Sequence, residues 1–349
     1  MAKQYVPDNS QMQQLKNDLK TGDIARCYVF YGEERYLLEY YLSELKKLLV
    51  SGPMETFNYR RLTQENASVT AIRDAVEAAP MMAERTMVQV DDFDLFDCTE
   101  DEREALCAML CDLPETCCLV WQYDTVPYKK NAKYRALCDA LKKNVREVQF
   151  VKQSAGELSV WIRRHFQRLG KTITPDLCQY LIFRTDGVMT SLASEIGKIA
   201  AYSRADGIVK ADIDAVVEPV LGAVIFDVTD AFADRDYATA YAKLDDLLRM
   251  QEEPIALLAA LGSHFRKVLA AKTVLAAGKN EQALMPIIGS NSGFYAGKLL
   301  RQAGRLSEEF CRSAVELCFD ADRRLKSTRE DADDVLRVLM LRLSQEARQ

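Results

Sequence analysis

A parallel α/β sheet domain followed by an all-helical remainder is the architecture this sequence predicts, and three observations predict it. Up to Phe150, short apolar, β-leaning runs alternate with amphipathic helical runs, the pattern of parallel strands joined by helical crossovers. Beyond Phe150 the strand signal largely disappears, and helix-opening signals follow one another: the Ser154 to Glu157 capping box and Thr174 before Pro175. A chain of 349 residues also exceeds what one ordinary core organises, so two or three domains are expected. The expected division is an α/β domain over residues 1–150, a small helical domain over 151–219 and a C-terminal helical domain over 220–349.

In order, Met12, Leu15 and Leu19 mark a short first helix, and residues 26–31 form a buried strand bounded by Gly32. The next helix carries Leu37, Leu38, Tyr41, Leu42, Leu45, Leu48 and Leu49 on one broad face and Glu44, Lys46 and Lys47 on the other. Residues 56–62 alternate enough to predict a second strand. Val69, Ile72 and Val76 then recur at helical spacing behind Ser68, a natural cap, and this helix is expected to run over residues 68–79 until Pro80 stops it. Residues 86–90 predict a third strand, 102–113 a helix, 117–123 a strand, 129–141 a helix and 145–150 a last strand.

The helical part opens with Leu158, Trp161, Ile162, Phe166 and Leu169 on one side of a helix that Gly170 ends. The helix opened by Thr174 and Pro175 runs to Thr185, where Asp186 and Gly187 break it. Leu192, Ile196 and Ile199 mark a third helix and residues 212–217 a short fourth. From Ala223 the expected helices lie near Phe226, over 238–250, after Pro254, and over 295–303, 307–326 and 332–346.

Composition excludes several classes of function. A 48% apolar and 28% charged composition is that of a soluble globular protein, and no apolar run is long enough to span a bilayer. The first residues lack the apolar core of a signal peptide, so a cytoplasmic protein with no membrane partner is expected. Ten cysteines without a C-x-x-C pair predict reduced, mostly buried thiols and not a zinc ribbon. His165 and His264 are far apart, so neither a histidine metal site nor a catalytic histidine centre is expected. A net charge of −6 argues against coating nucleic acid by bulk electrostatics.

Two places draw attention as candidate sites. Met81 and Met82, after Pro80, fall on a loop between a helix and a strand, where two flexible apolar side chains suit a partner's pocket. The opposing reading folds one or both back onto the core. An α/β domain followed by a helical lid is also how AAA+ ATPases are built, which directs attention to the corner after the first strand. A phosphate loop there needs G-x-x-x-x-G-K-[ST], because backbone amides cradle the phosphates, Lys neutralises them and Ser/Thr holds magnesium. The corner reads Gly32, Glu33, Glu34, Arg35, so a degenerate phosphate loop is expected, with no nucleotide or metal cofactor and no catalytic site. Asp91 and Asp92 after the third strand resemble the acidic end of a metal-binding strand, yet solvated loop acids explain them as well.

The chain carries YVFYGEERYLL from Tyr28, Ala-Pro-Met-Met at 79–82, ELSVWIRRHFQRLG at 157–170 and SEIGKIAAY at 194–202. VIFDVTDAF, LLAALGSHFRKVL, KLLRQAGRLS and DADRRLKST follow in the C-terminal region. In their order and spacing these segments resemble the delta-subunit family of the bacterial DNA polymerase III clamp loader, over nearly the whole chain. The resemblance implies an AAA+-like domain, a lid and a helical collar. It implies a protein without ATPase activity, a subunit of a nucleotidyltransferase holoenzyme, that binds and opens the ring-shaped beta sliding clamp during DNA replication. Its implied partners are the gamma/tau and delta-prime subunits in a five-membered arc, with primed DNA inside the complex. It also implies that Met81 and Met82, where the family usually carries Leu-Phe, enter an apolar pocket on the clamp. ATP-binding relatives place an arginine after a G-x-M at the third lid helix, where this chain has Gly187, Val188, Met189 and Thr190. Two other readings stay open: an active P-loop ATPase, and a DNA-binding regulator whose helix-turn-helix spans residues 286–300 with Lys298, Arg301 and Arg305 facing DNA.

Overall fold

Strands β1 (Cys27–Gly32), β3 (Thr86–Asp91) and β4 (Cys117–Gln122) are nearly continuous apolar runs because both faces of the sheet they share are covered. With β2 (Tyr59–Leu62) and β5 (Arg146–Phe150) they form one parallel five-stranded sheet in the order β2-β3-β4-β1-β5. The register pairs Cys27 with Leu119, Tyr28 with Arg146 and Thr86 with Cys117. Successive side chains point to opposite faces. Val29, Val88, Leu119 and Trp121 therefore pack on α4 (Val69–Glu77), α5 (Glu100–Cys111) and α6 (Arg135–Asn144). On the other face Tyr28, Phe30, Met87, Val120 and Val148 pack on Leu15 of α1 (Ser10–Thr21) and on Leu38 and Leu45 of α2 (Arg35–Val50).

This computed structural model describes residues 10–250 and 252–347 and falls into two units, one ending at Gln153 and one beginning at Ser154. The second unit is helical throughout its described elements. It begins with α7 (Ala155–Arg168), α8 (Pro175–Thr185), α9 (Met189–Tyr202) and α10 (Lys210–Val216). It continues with α11 (Leu221–Ala233), α12 (Tyr237–Arg249), α13 (Pro254–Ala276) and α14 (Glu281–Ile288). The last helices are α15 (Gly293–Arg305), α16 (Glu308–Ser327) and α17 (Ala332–Glu346). The expected helical domains over 151–219 and 220–349 share this unit, and α8 meets α11 through the Arg184–Asp227 ion pair at 2.9 Å and the Phe183–Phe226 rings at 5.5 Å. The capping box at Ser154 and the Thr174 cap before Pro175 form as the residues predict.

Several expectations need correction. Residues 56–62 do not form one strand: Glu55–Asn58 is a single helical turn, α3, and only Tyr59–Leu62 pairs with β3. The Asn58 side chain donates to Met54 O at 3.1 Å and so closes that turn. Helix α4 ends at Glu77, with Ala78 already extended, rather than at Ala79; proline disfavours helical backbone in the residue before it, so the helix stops short. The helix expected over 129–141 begins only at Arg135, after a turn in which Asn131 accepts from the Lys133 amide through Oδ1 at 3.1 Å and from the Tyr134 amide through its carbonyl at 3.0 Å. Leu48, placed on the buried face of α2, is exposed. Helix α14 begins at Glu281, five residues before the helix-turn-helix span expected over 286–300.

The core of the second unit holds one polar cluster. His264 of α13 donates Nε2–H to Gln302 Oε1 of α15 at 2.8 Å, with Thr229 Oγ1 of α11 also at 2.8 Å, and Gln302 Nε2 donates to Thr229 Oγ1 at 3.0 Å. Burial depresses the His264 pKa to about 4, against the opposing bond from Gln302. Between about pH 6.5 and 4 the unfolded chain therefore binds a proton that the folded one refuses, so stability is full at neutral pH and falls as the pH drops. The expected loss by pH 5.5 is about 1.4 kcal/mol. The stability difference between the protein and its His264→Gln variant, followed by thermal melts at pH 7.5 and 5.5, should shrink by that amount; a constant difference would place the titration elsewhere.

Candidate functional site

The corner after β1 is closed to a nucleotide by its backbone. Strand β1 ends at Gly32 and α2 begins at Arg35, so two residues stand where a phosphate loop needs a longer glycine-rich turn. Gly32 lies at φ 130 against β5, and the Glu34 amide donates to Phe150 O at 3.0 Å, fastening the corner to that strand. Glu33 projects to solvent 3.9 Å from Lys152. Glu34 is buried, and that burial raises its carboxyl pKa against the Tyr36 amide and Lys152. The loop after β4 folds over the same end of the sheet, with the Tyr128 ring 5.0 Å from those of Tyr31 and Tyr123.

The two acids after β3 are half-buried and committed to neighbouring donors. Asp91 pairs with Arg61 at 2.6 Å and accepts from Gln89 Nε2 at 2.7 Å. Asp92 accepts from the amides of Asp124 (2.8 Å), Thr125 (3.1 Å) and Val126 (3.1 Å) and from the Thr125 hydroxyl (2.7 Å). Burial pushes the Asp92 carboxyl up, but those donors hold it below its ordinary range. Among the described residues no group of three or more His, Cys, Asp or Glu side chains is placed to hold a metal ion. Isothermal titration of the chain with magnesium and ATP should therefore give no binding heat, and micromolar affinity would restore the active ATPase.

The methionine loop is built differently. Ser68 caps α4 by accepting from the Ala71 amide at 3.1 Å, and the chain then passes through half-buried Pro80 into the loop. Met81 is 50% exposed and Met82 86% exposed, so neither folds into the core. Asn58, only 2% exposed, brackets Met81: its Oδ1 accepts from Met81 N at 2.7 Å and its Nδ2 donates to Met81 O at 2.9 Å. Met82 has φ 50, the left-handed region, which costs a residue with a side chain about 1–2 kcal/mol. Beyond it Arg85 ties the loop down by donating to Ile24 O at 3.0 Å. The Thr86 amide then donates to Thr116 O at 2.7 Å, so two exposed apolar side chains stand on backbone held before and after them. Phe57, the neighbour of Asn58, is exposed as well. Asn58 escaped sequence reading because it lies 23 residues before Met81, and an isolated Asn in a β-leaning run carries no periodic signal.

Of the three cations expected to face DNA, two are committed inside the second unit. Helices α14 and α15 do form a helical pair. However, the Lys298 ammonium lies 4.3 Å from the Phe183 ring centre and 4.4 Å from that of Phe226, and burial lowers its pKa. Arg305 pairs with Asp230 and Asp234. Arg301 alone of the three is exposed without such a partner on these helices. Thr190 is exposed in the first turn of α9, where an ATP-binding lid would carry its arginine.

Fold and corner together define a parallel α/β sheet unit followed by a helical unit, in which β1 passes into α2 through a tight two-residue turn, shorter than a phosphate loop needs. Family models assign it further. The model described as DNA polymerase III, delta subunit matches residues 28–151, and that of the DNA polymerase III delta subunit, C-terminal domain, matches residues 223–343. The chain belongs to the DNA polymerase III delta subunit family. It is 25% identical over 331 residues to the DNA polymerase III subunit delta of Bacillus subtilis (strain 168), a match covering 93% of this chain and 94% of that protein. Its fold is similar to the solved Bacillus subtilis DNA clamp loader delta protein, at a TM-score of 0.57 and 23% identity over 95% of this chain and 99% of that one. No helix among the described residues is long and apolar enough to cross a membrane.

Proposed function

We propose that this chain binds the beta sliding clamp through Met81 and Met82 and opens it for loading onto primed DNA, without hydrolysing ATP itself. The observation that carries this reading is the exposed methionine pair on a loop whose backbone is held at Met81 by Asn58 and at Thr86 by Thr116 O. An apolar plug binds well when it is ordered before it meets its pocket, because the loop entropy is already spent. Family membership supports a clamp-loader context, and the two-residue corner at Glu33 and Glu34 supports dependence on sister subunits for ATP. In this reading residues 151–219 act as a lid and residues 220–349 as a collar that assembles with gamma/tau and delta-prime in the cytoplasm. Exposed Phe319 lines a groove with Leu258 and Val315 between α13 and α16, and Ile255 is exposed on α13, apolar surface of the kind an obligate assembly covers. DNA contact is left to Arg301 and to other subunits.

A pull-down of the full chain from native cytosol tests the reading. The clamp and both kinds of sister subunit should accompany it, and the clamp should be lost when Met81 and Met82 are both alanine. A pull-down that recovers sister subunits but no clamp would end the clamp-binding role while leaving the assembly role standing.

A further inference from the structure

We propose that Asn58 is the positioning residue of the docking loop: its buried carboxamide fixes the backbone from which Met82 projects, so clamp affinity depends on Asn58 through loop geometry. The inference rests on the docking role proposed for Met81 and Met82. With 2% of its surface exposed, Asn58 has almost nothing to offer a partner directly. What it has is a donor and an acceptor in one plane, the same pair a peptide group presents, and both are spent on Met81: Oδ1 on its N–H at 2.7 Å and Nδ2 on its C=O at 2.9 Å. The side chain stands in for a neighbouring strand at a place where no strand runs. The same Nδ2 also donates to Met54 O at 3.1 Å, so the bracket is anchored in the turn of α3, which the Lys46–Glu55 ion pair at 2.7 Å ties to α2.

The need for such a bracket lies at the next residue. Met82 has φ 50 and 86% of its surface in solvent, so its own contacts do not hold it in a conformation that Met disfavours. Held backbone on each side does: Asn58 at Met81, and beyond it the Thr86 amide, which donates to Thr116 O at 2.7 Å where β3 begins. Without the bracket Met82 is free to relax to negative φ, which re-aims its side chain. No other residue type reproduces the pair of bonds at this reach. Asp lacks the donor, Leu of similar shape lacks both groups, and Gln is one methylene too long.

The experiment is a double-mutant cycle on the full chain, read as Kd by surface plasmon resonance on the immobilised sliding clamp and as Tm by thermal melt. Asn58→Ala should weaken binding about tenfold in the otherwise unchanged protein and less than twofold when Met81 and Met82 are already alanine. A residue that is merely structural lowers Tm in both backgrounds and changes Kd equally in both, or in neither; either pattern overturns the proposal. Should the methionine pair itself prove irrelevant to Kd, the docking role falls and this proposal with it. If the methionine pair matters and Asn58 does not, only the positioning role falls. A further measurement needs no variant. The Met81 amide, donated to a buried acceptor on an exposed loop, should exchange with deuterium on the order of 100-fold more slowly than the amide of Ala83. Exchange at the unprotected rate would overturn the bracket.

Discussion

Changing both Met81 and Met82 to alanine is expected to weaken clamp binding roughly 100-fold while leaving the melting temperature almost unchanged. Fully burying a methionine side chain is worth about 1.5–3 kcal/mol. Met82, 86% exposed, has nearly all of that to gain on docking, and Met81, 50% exposed, about half. The sum lost on truncation is about 3 kcal/mol, which is roughly two decades of Kd. Alanine at both sites opens no cavity, because neither side chain fills one, so stability should move by no more than about 0.5 kcal/mol per site. Surface plasmon resonance against immobilised clamp, beside a melt of the same samples, separates this from a core role. Unchanged affinity with a depressed melt would reject the plug.

How far such a site can be read in advance depends on the range of the interactions that build it. The strands β1, β3 and β4 are legible because burial on both faces makes them apolar throughout, and α7 and α8 because a capping residue and its partner lie within four positions. The loop that carries Met81 and Met82 is legible from Pro80, but their exposure, against the opposing core reading, comes only from the structure. What was not legible depends on partners remote in the chain. Residues 129–134 read as helix, but a turn at Asn131 precedes α6 and Lys130 reaches away to Glu147 of β5. Thr56, Phe57 and Asn58 look like strand residues until the Asn58 amide is seen to close α3 on one side and hold Met81 on the other. Lys298 and Arg305 look available on a basic helix, and only the packing of α8 and α11 against α15 commits them to rings and carboxylates.

Gly32→Ala is expected to be the most damaging single methyl group in the first unit, costing about 4 kcal/mol or more. Gly32 has φ 130, outside the left-handed well that Asn or Asp tolerate, and a side chain there costs about 1–3 kcal/mol in backbone strain alone. A methyl on its Cα would also stand 2.7 Å from Phe150 N and 2.8 Å from Phe150 C, and closer still to the carbonyl oxygen. These are backbone atoms of β5, in register with β1 from Tyr28–Arg146 to Gly32–Phe150, so they cannot yield without loosening the strand pair; overpacking of that kind adds about 1–3 kcal/mol. Gly52 supplies the control. Its φ of 121 is similar, yet nothing lies within 4 Å of the position a Cβ would take, so Gly52→Ala incurs the conformational cost alone. Urea melts followed by the fluorescence of buried Trp121, with Trp161 changed to Phe, report on the first unit and should place Gly32→Ala well below Gly52→Ala. The glycine at this corner, which looks like the remnant of a phosphate loop, is then required by the approach of β5 and not by any ligand. Equal costs for the two substitutions would remove that requirement and leave the glycine unexplained by the sheet.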